Sequence, residues 1–139
     1  MAELLKGLAV ANALTEKLVE RVAALNAKNI TPTLAILRVG ERGDDISYET
    51  GAMKRCAKVG IAVQQFLLPA DCTREALLDA IRQINEDPSI HGCLMFRPLP
   101  KHLKKDHDEI CNRLAPCKDV DSMTHMSNAG VFEGQDLGY

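Results

Sequence analysis

Four side chains with usable chemistry stand where the sequence changes character: Tyr48, Arg97, Asp119 and Asp121. Tyr48 lies in "ISYETGAMKRCAKVGI", a helix-like run closed by a glycine. A tyrosine in the first turn of a helix can lie against a flat ring or donate a hydrogen bond. It serves equally well as a half-buried packing residue. One turn later stands Ala52, which has no functional group, followed by the cations Lys54 and Arg55. Arg97 opens "RPLP", where two prolines stiffen the backbone. A rigid wall of that kind suits a flat ligand, and a tight turn alone would also explain it. Asp119 and Asp121 sit in "PCKDVDSMTH", where an acid either caps a turn or meets a ligand. Asp121 and His125 are spaced closely enough to share a metal ion, but no third ligand is near, so a metal is not expected. "KHLKKDHDE" reads as a solvated helix face, and His91 as a surface residue.

Composition narrows the field. The chain has 139 residues, 46% hydrophobic and 26% charged, with a formal net charge of -2. That suits one ordinary globular domain with a sizeable core. Acids and bases are interspersed, so no basic stripe is offered to nucleic acid and no polybasic patch to a membrane. No apolar run approaches bilayer-spanning length, and the first residues carry too many charges for a secretory signal. The five cysteines form no C-x-x-C pair; Cys56 and Cys93 read as core. A reduced, cytoplasmic protein accounts for them better than a disulfide framework or a zinc site. A dinucleotide fingerprint, a P-loop and a nucleophile elbow are all missing.

The elements that must hold these residues alternate. Leu8, Val10, Ala11, Leu14, Leu18, Val19, Val22 and Leu25 recur at helical spacing, predicting a helix over about 4–28. Leu34 to Val39 reads as a buried strand ending at Gly40. Asp44 and Asp45 can cap the next helix, which ends at Gly60. A strand over 61–69 follows, then a helix capped by Thr73. Gly92 to Phe96 is a third strand, and its continuous apolar run suits a parallel strand covered on both faces. A short charged helix comes next, and the tail from Cys117 reads as loop. The order α-β-α-β-α-β-α predicts a three-layer α/β/α domain with a mainly parallel sheet. Ligands bind beyond the carboxyl ends of such strands, where Tyr48 and Arg97 lie.

Three stretches together resemble one family. "LRVGERGDDISY…GI" resembles the first catalytic motif of the methylenetetrahydrofolate dehydrogenase/cyclohydrolase family. "GCLMFRPLPKHL" resembles its G-x-L-V-Q-L-P-L-P-x-H motif, and "APCKDVDSMTHMSNAGVFEG" its P-x-K-D-V-D-G motif with the N-x-G that follows. The motifs occur in the family's order and cover the chain from the first helix to Gly134. The resemblance implies the N-terminal, folate-binding half of a two-domain enzyme, spanning 1–139. The NAD(P)-binding Rossmann domain and a C-terminal helix that folds back would lie outside this chain. It further implies oxidation of methylenetetrahydrofolate with NADP or NAD and hydrolysis of the product to formyltetrahydrofolate. This is one-carbon chemistry that feeds purine biosynthesis, in a cytoplasmic homodimer. Carried over singly, Tyr48 is the tyrosine that packs on folate and Asp121 the aspartate that takes the pterin's N–H groups. Pro98, Leu99 and Pro100 are the pocket wall.

The departures bear most on activity. Ala52 stands where the family has the lysine that handles protons in the hydrolytic step. Lys54 is no obvious substitute, since two residues along a helix turn it roughly 200° away. Phe96 replaces the glutamine that neighbours that lysine, and Arg97 replaces a leucine. Asp45 stands for a serine, and Ser122 for a glycine, which suggests a loop of different shape. Arg97 has three available partners: Asp121, Asp45 or an anionic part of a ligand. The expectation is a dehydrogenase with an impaired cyclohydrolase step. The alternatives are a bifunctional enzyme with a relocated cation at Arg97 or Lys54, and a non-catalytic or repurposed binding homologue. The 139 residues alone are expected to be inactive.

Overall fold

The computed structural model describes residues 6–137. The elements run α1 (Gly7–Asn26), β1 (Thr33–Val39), α2 (Gly43–Val59), β2 (Ala62–Leu68), α3 (Arg74–Glu86) and β3 (Gly92–Met95). A 3-10 turn at Lys101–Asp106, α4 (His107–Cys111), a second turn at Pro116–Lys118 and α5 (His125–Glu133) complete the chain. All strand pairs are parallel, in the order β2-β1-β3, so the central strand is β1. The predicted alternation of helices and strands is thus confirmed.

The pleat of β1 divides the molecule into layers. Ala35, Leu37 and Val39 join Cys93 and Met95 of β3 in a core completed by Leu77, Ile81 and Ile84 of α3 and by Ile110 and Leu114. Ile36 and Arg38 have the opposite parity and belong to the other face, where Arg38 meets α2. β1 and β3 are buried nearly end to end, as parallel strands covered on both sides should be. β2 lies at the sheet edge and its residues are exposed or half-buried.

Local chemistry sets the helix ends. Thr73 caps α3 by accepting a hydrogen bond from Ala76 N–H at 3.1 Å. Gly60 ends α2 with φ of 86°, and Ile61 N–H reaches back to the Cys56 carbonyl at 2.9 Å. The N-cap of α2 is Arg42, not Asp44 or Asp45. Those two acids lie in its first turn and favour the positive helix end instead. This start also moves Tyr48 past the first turn into the second.

Three further expectations are corrected. The tail from Cys117 is not loop: Thr124 caps α5 by accepting from Ser127 N–H at 3.1 Å. The charged helix after Pro100 is a 3-10 turn for its first half and α-helical only from His107. The helix predicted from residue 4 begins at Gly7, its first predicted residues lying outside the described range. Only Thr15 and Val22 of α1 are buried, while Leu8, Val10, Leu14, Val19 and Leu25 are exposed. α1 meets α2 along a narrow seam, where Arg55 donates to the Ala11 carbonyl at 3.2 Å.

Candidate functional site

A cavity of about 510 Å³ opens at the carboxyl ends of the neighbouring strands β1 and β3. Asp45 and Tyr48 of α2 line one side. Leu94, Met95, Phe96, Arg97 and Pro98 line it as a continuous segment, together with His107 of α4 and Asp121.

Tyr48 is 63% exposed, and its ring makes a T-shaped contact with that of Phe96, with centroids 5.5 Å apart and planes at 68°. That T-shaped contact fixes the ring. The residue after Tyr48 fixes the backbone beneath it. Glu49 is buried and takes hydrogen bonds from Arg38 of β1 and Gln65 of β2, and Arg38 also donates to the Gly40 carbonyl. This network clamps α2 to two strands beside Tyr48.

Asp121 is placed by its neighbours. The Asp119 carboxylate accepts from Met123 N–H at 2.9 Å and Thr124 N–H at 2.7 Å. Burial pushes the Asp119 carboxyl up, but these backbone bonds and the Ser127 and Thr124 hydroxyls outweigh it and hold it below the usual range. Asp119 therefore serves the loop. Lys118 donates to the carbonyls of Ile84, Asn85 and Asp87, at 2.6, 3.0 and 2.7 Å, tying the loop to the end of α3. Val120 packs on Gly92 so closely that a Cβ there would lie 2.6 Å from its methyl group. Ser122 holds φ at 50°, a left-handed conformation glycine adopts freely. The backbone shape expected of a glycine at this position is thus retained by a serine.

Of the three partners open to Arg97, the structure selects Asp121: Arg97 Nη2 donates to Asp121 Oδ2 at 2.6 Å. Asp45 lies instead 3.9 Å from Arg42. Pro98 lines the cavity, whereas Leu99 is buried in the core and, with Pro100, lines a neighbouring cleft. Ala52 is half-buried one turn below Tyr48, and Lys54 is exposed and is not among the residues lining the cavity. His125 starts α5 with its backbone N–H on Asn112 Oδ1 at 2.7 Å. No metal-binding cluster occurs among the described residues.

The sequence reading missed His107. It lines the cavity, and its Nε2 lies 3.7 Å from Cys111 Sγ. The Cys111 thiol is pushed up by burial, against the nearby charge of Arg97. The available signal was periodicity: His107, Ile110, Cys111 and Leu114 recur at helical spacing and mark an inward face. Arg38 and Glu49 were missed too, although an arginine inside an apolar strand is itself informative. Cys56, Cys72, Cys93 and Cys111 are buried free thiols and Cys117 is an exposed one; burial beside Asp119 pushes Cys93 up to about 12.

The fold is that of a known family. A model of the tetrahydrofolate dehydrogenase/cyclohydrolase catalytic domain matches residues 5–121. The "Bifunctional protein FolD" of Alkaliphilus oremlandii is 48% identical over 139 residues, all of this chain and 48% of that protein. The Campylobacter jejuni bifunctional enzyme FolD superposes with a TM-score of 0.88 at 30% identity, over 94% of this chain and 46% of its own. A Trypanosoma brucei methylenetetrahydrofolate dehydrogenase-cyclohydrolase, solved with NADP and an inhibitor, gives 0.80 at 32% identity over 87% and 41%. The chain thus spans about half the length of the curated relatives it matches. With the motifs in order, the parallel sheet and the cavity at its carboxyl edge, the chain belongs to the tetrahydrofolate dehydrogenase/cyclohydrolase family, within its catalytic domain.

Proposed function

We propose that this chain is the folate-binding half of an enzyme that oxidises methylenetetrahydrofolate to methenyltetrahydrofolate, with its cyclohydrolase step impaired. The observation that carries the reading is the pairing of retained and lost groups around one cavity. Tyr48 offers a ring and Asp121 a carboxylate to the cavity, while Phe96 in its lining and Ala52, one helical turn from Tyr48, offer no proton-handling group. Oxidation needs the one-carbon unit held in place, which a stacking ring, a proline wall and a carboxylate can do. Hydrolysis needs a group to move protons and stabilise charge; the methyl of Ala52 and the phenyl of Phe96 do neither, and the His107 imidazole in the lining is engaged by Asp108 and Cys111.

Oxidation also needs a hydride acceptor, which NADP or NAD supplies. The described residues do not fit a dinucleotide. The turn after β1 lacks the glycine fingerprint, and the α2 N-terminus, where a pyrophosphate would sit, already carries Asp44 and Asp45. The cofactor site is therefore assigned to a second, Rossmann domain outside these residues, and the 139 residues alone are inactive. The same reading takes the whole protein as a cytoplasmic homodimer serving one-carbon metabolism and purine synthesis. No described helix is long and apolar enough to cross a membrane.

A second reading keeps both activities, with Arg97 as the relocated cation. Its support is that Arg97 lines the cavity, whereas Lys54 is exposed and is not among its lining residues. Calorimetric titration of the chain with folic acid tests the site common to both. Saturable binding is expected, with Asp121→Asn weakening it about tenfold or more, as loss of a charged hydrogen-bond acceptor should. No saturable binding, or binding indifferent to Asp121→Asn, would remove the folate reading.

A further inference from the structure

Arg97 is the one cation placed directly against the carboxylate that the folate reading assigns to the pterin. Its Nη2 uses one N–H on Asp121 Oδ2 at 2.6 Å. Among the described residues neither side chain makes another hydrogen bond. Arg97 and Asp121 are 38% and 45% exposed in their side chains and both line the cavity beside Tyr48. Oδ1 of the carboxylate therefore remains free to accept, and the other N–H groups of the planar guanidinium remain free to donate. A half-exposed ion pair holds its partners weakly, so a ligand can engage both without first breaking a strong interaction.

The pair presents an acceptor beside a donor. Its complement is a ring edge with an N–H next to a carbonyl. On the folate reading, on which this step rests, the pterin has that edge: an amino group, a ring N–H and a carbonyl oxygen in a row. We propose that Arg97 and Asp121 form a single recognition edge, in which Asp121 accepts from the pterin N–H groups and Arg97 donates to the adjacent carbonyl oxygen. Arg97 is then a specificity residue that selects oxo-pterins over ring systems with an amino group at that position. The neighbouring groups do not duplicate it. Asp45, also in the lining, is an acceptor and lies 3.9 Å from Arg42, and His107 lies beside Cys111.

Aminopterin replaces that carbonyl of folic acid with an amino group and loses the adjacent ring N–H with it. Calorimetric titration of the chain with each should show folic acid bound about tenfold more tightly or better, since a site built to hydrogen-bond one group rejects its replacement strongly. Arg97→Leu should reduce the ratio severalfold, chiefly by weakening folic acid; the part that remains is the share of the lost ring N–H, which Asp121 reads. Arg97→Lys should restore only part of it, because a point charge lacks the fork geometry. If Arg97→Leu leaves the ratio unchanged while Asp121→Asn still weakens folic acid, the recognition edge is wrong and the folate reading stands. If the unsubstituted chain binds neither compound, both fall together.

Discussion

On the proposed reading, Ala52 and Phe96 are two departures from the family motif that act together. Phe96 is 8% exposed, and its contact with Tyr48 leaves an apolar surface where a lysine and its glutamine partner would have to be solvated together. Restoring Lys at 52 alone would set an ammonium near a phenyl group. Restoring both should return the hydrolytic step. In a protein carrying both halves, Ala52→Lys with Phe96→Gln should raise methenyltetrahydrofolate hydrolysis by about a hundredfold or more, the usual contribution of a positioned proton-transfer group. Ala52→Lys alone should give a small part of that. A double variant no faster than its parent would show that another group, Arg97 foremost, already performs the step. At this scale the sequence was legible where a residue type is rare for its position. Tyr48, Arg97 and Asp121 stood out because stacking rings, cations and acids at strand ends have few structural duties. His107 did not, because a histidine among lysines and acids looks solvated until the helix is built and its phase is known.

At the scale of elements, a buried charge pair ties α2 to the sheet beside the site. Its buried residues are Glu49, Cys56 and Val59, and Glu49 is the one beside the site. The Arg38 and Glu49 side chains are 9% and 5% exposed, so removing one strands the other away from water. Glu49→Ala should therefore cost about 3–5 kcal/mol in urea unfolding, and Arg38→Met with Glu49→Leu should recover most of it. Folic acid affinity should fall with Glu49→Ala alone, because Tyr48 rides on the same turn. A loss below about 1 kcal/mol would mean that water reaches the pair. The helices and strands with strong periodicity were legible, as were the Thr73 and Gly60 ends, whose geometry follows from one residue each. α5 was not. Its sequence, HMSNAGVFE, has no apolar stripe, and its start depends on the Thr124 cap and on Asp119 gathering the preceding amides.

For the whole molecule, the layer order followed from alternation alone, since parallel strands need crossovers and helices must cover both faces. The sheet's order did not. Which strand becomes central depends on long-range pairing that no local pattern encodes, and the exposure of most of the α1 stripe is likewise a tertiary outcome. The centrality of β1 also has a consequence for the order of assembly. β1 pairs with β2 across a single helix, but with β3 only after a further strand and helix have been laid down. The shorter loop closes at lower entropic cost, so β1–β2 is the expected nucleus and β3 the late arrival. In stopped-flow kinetics, Phe66→Ala in β2 should mainly slow folding, whereas Met95→Ala in β3 should mainly accelerate unfolding. The reverse pattern would move the nucleus to β3. On that order, because Leu94 to Pro98 and Asp121 all wait on β3, the cavity would be the last part of this domain to exist and the first to be lost.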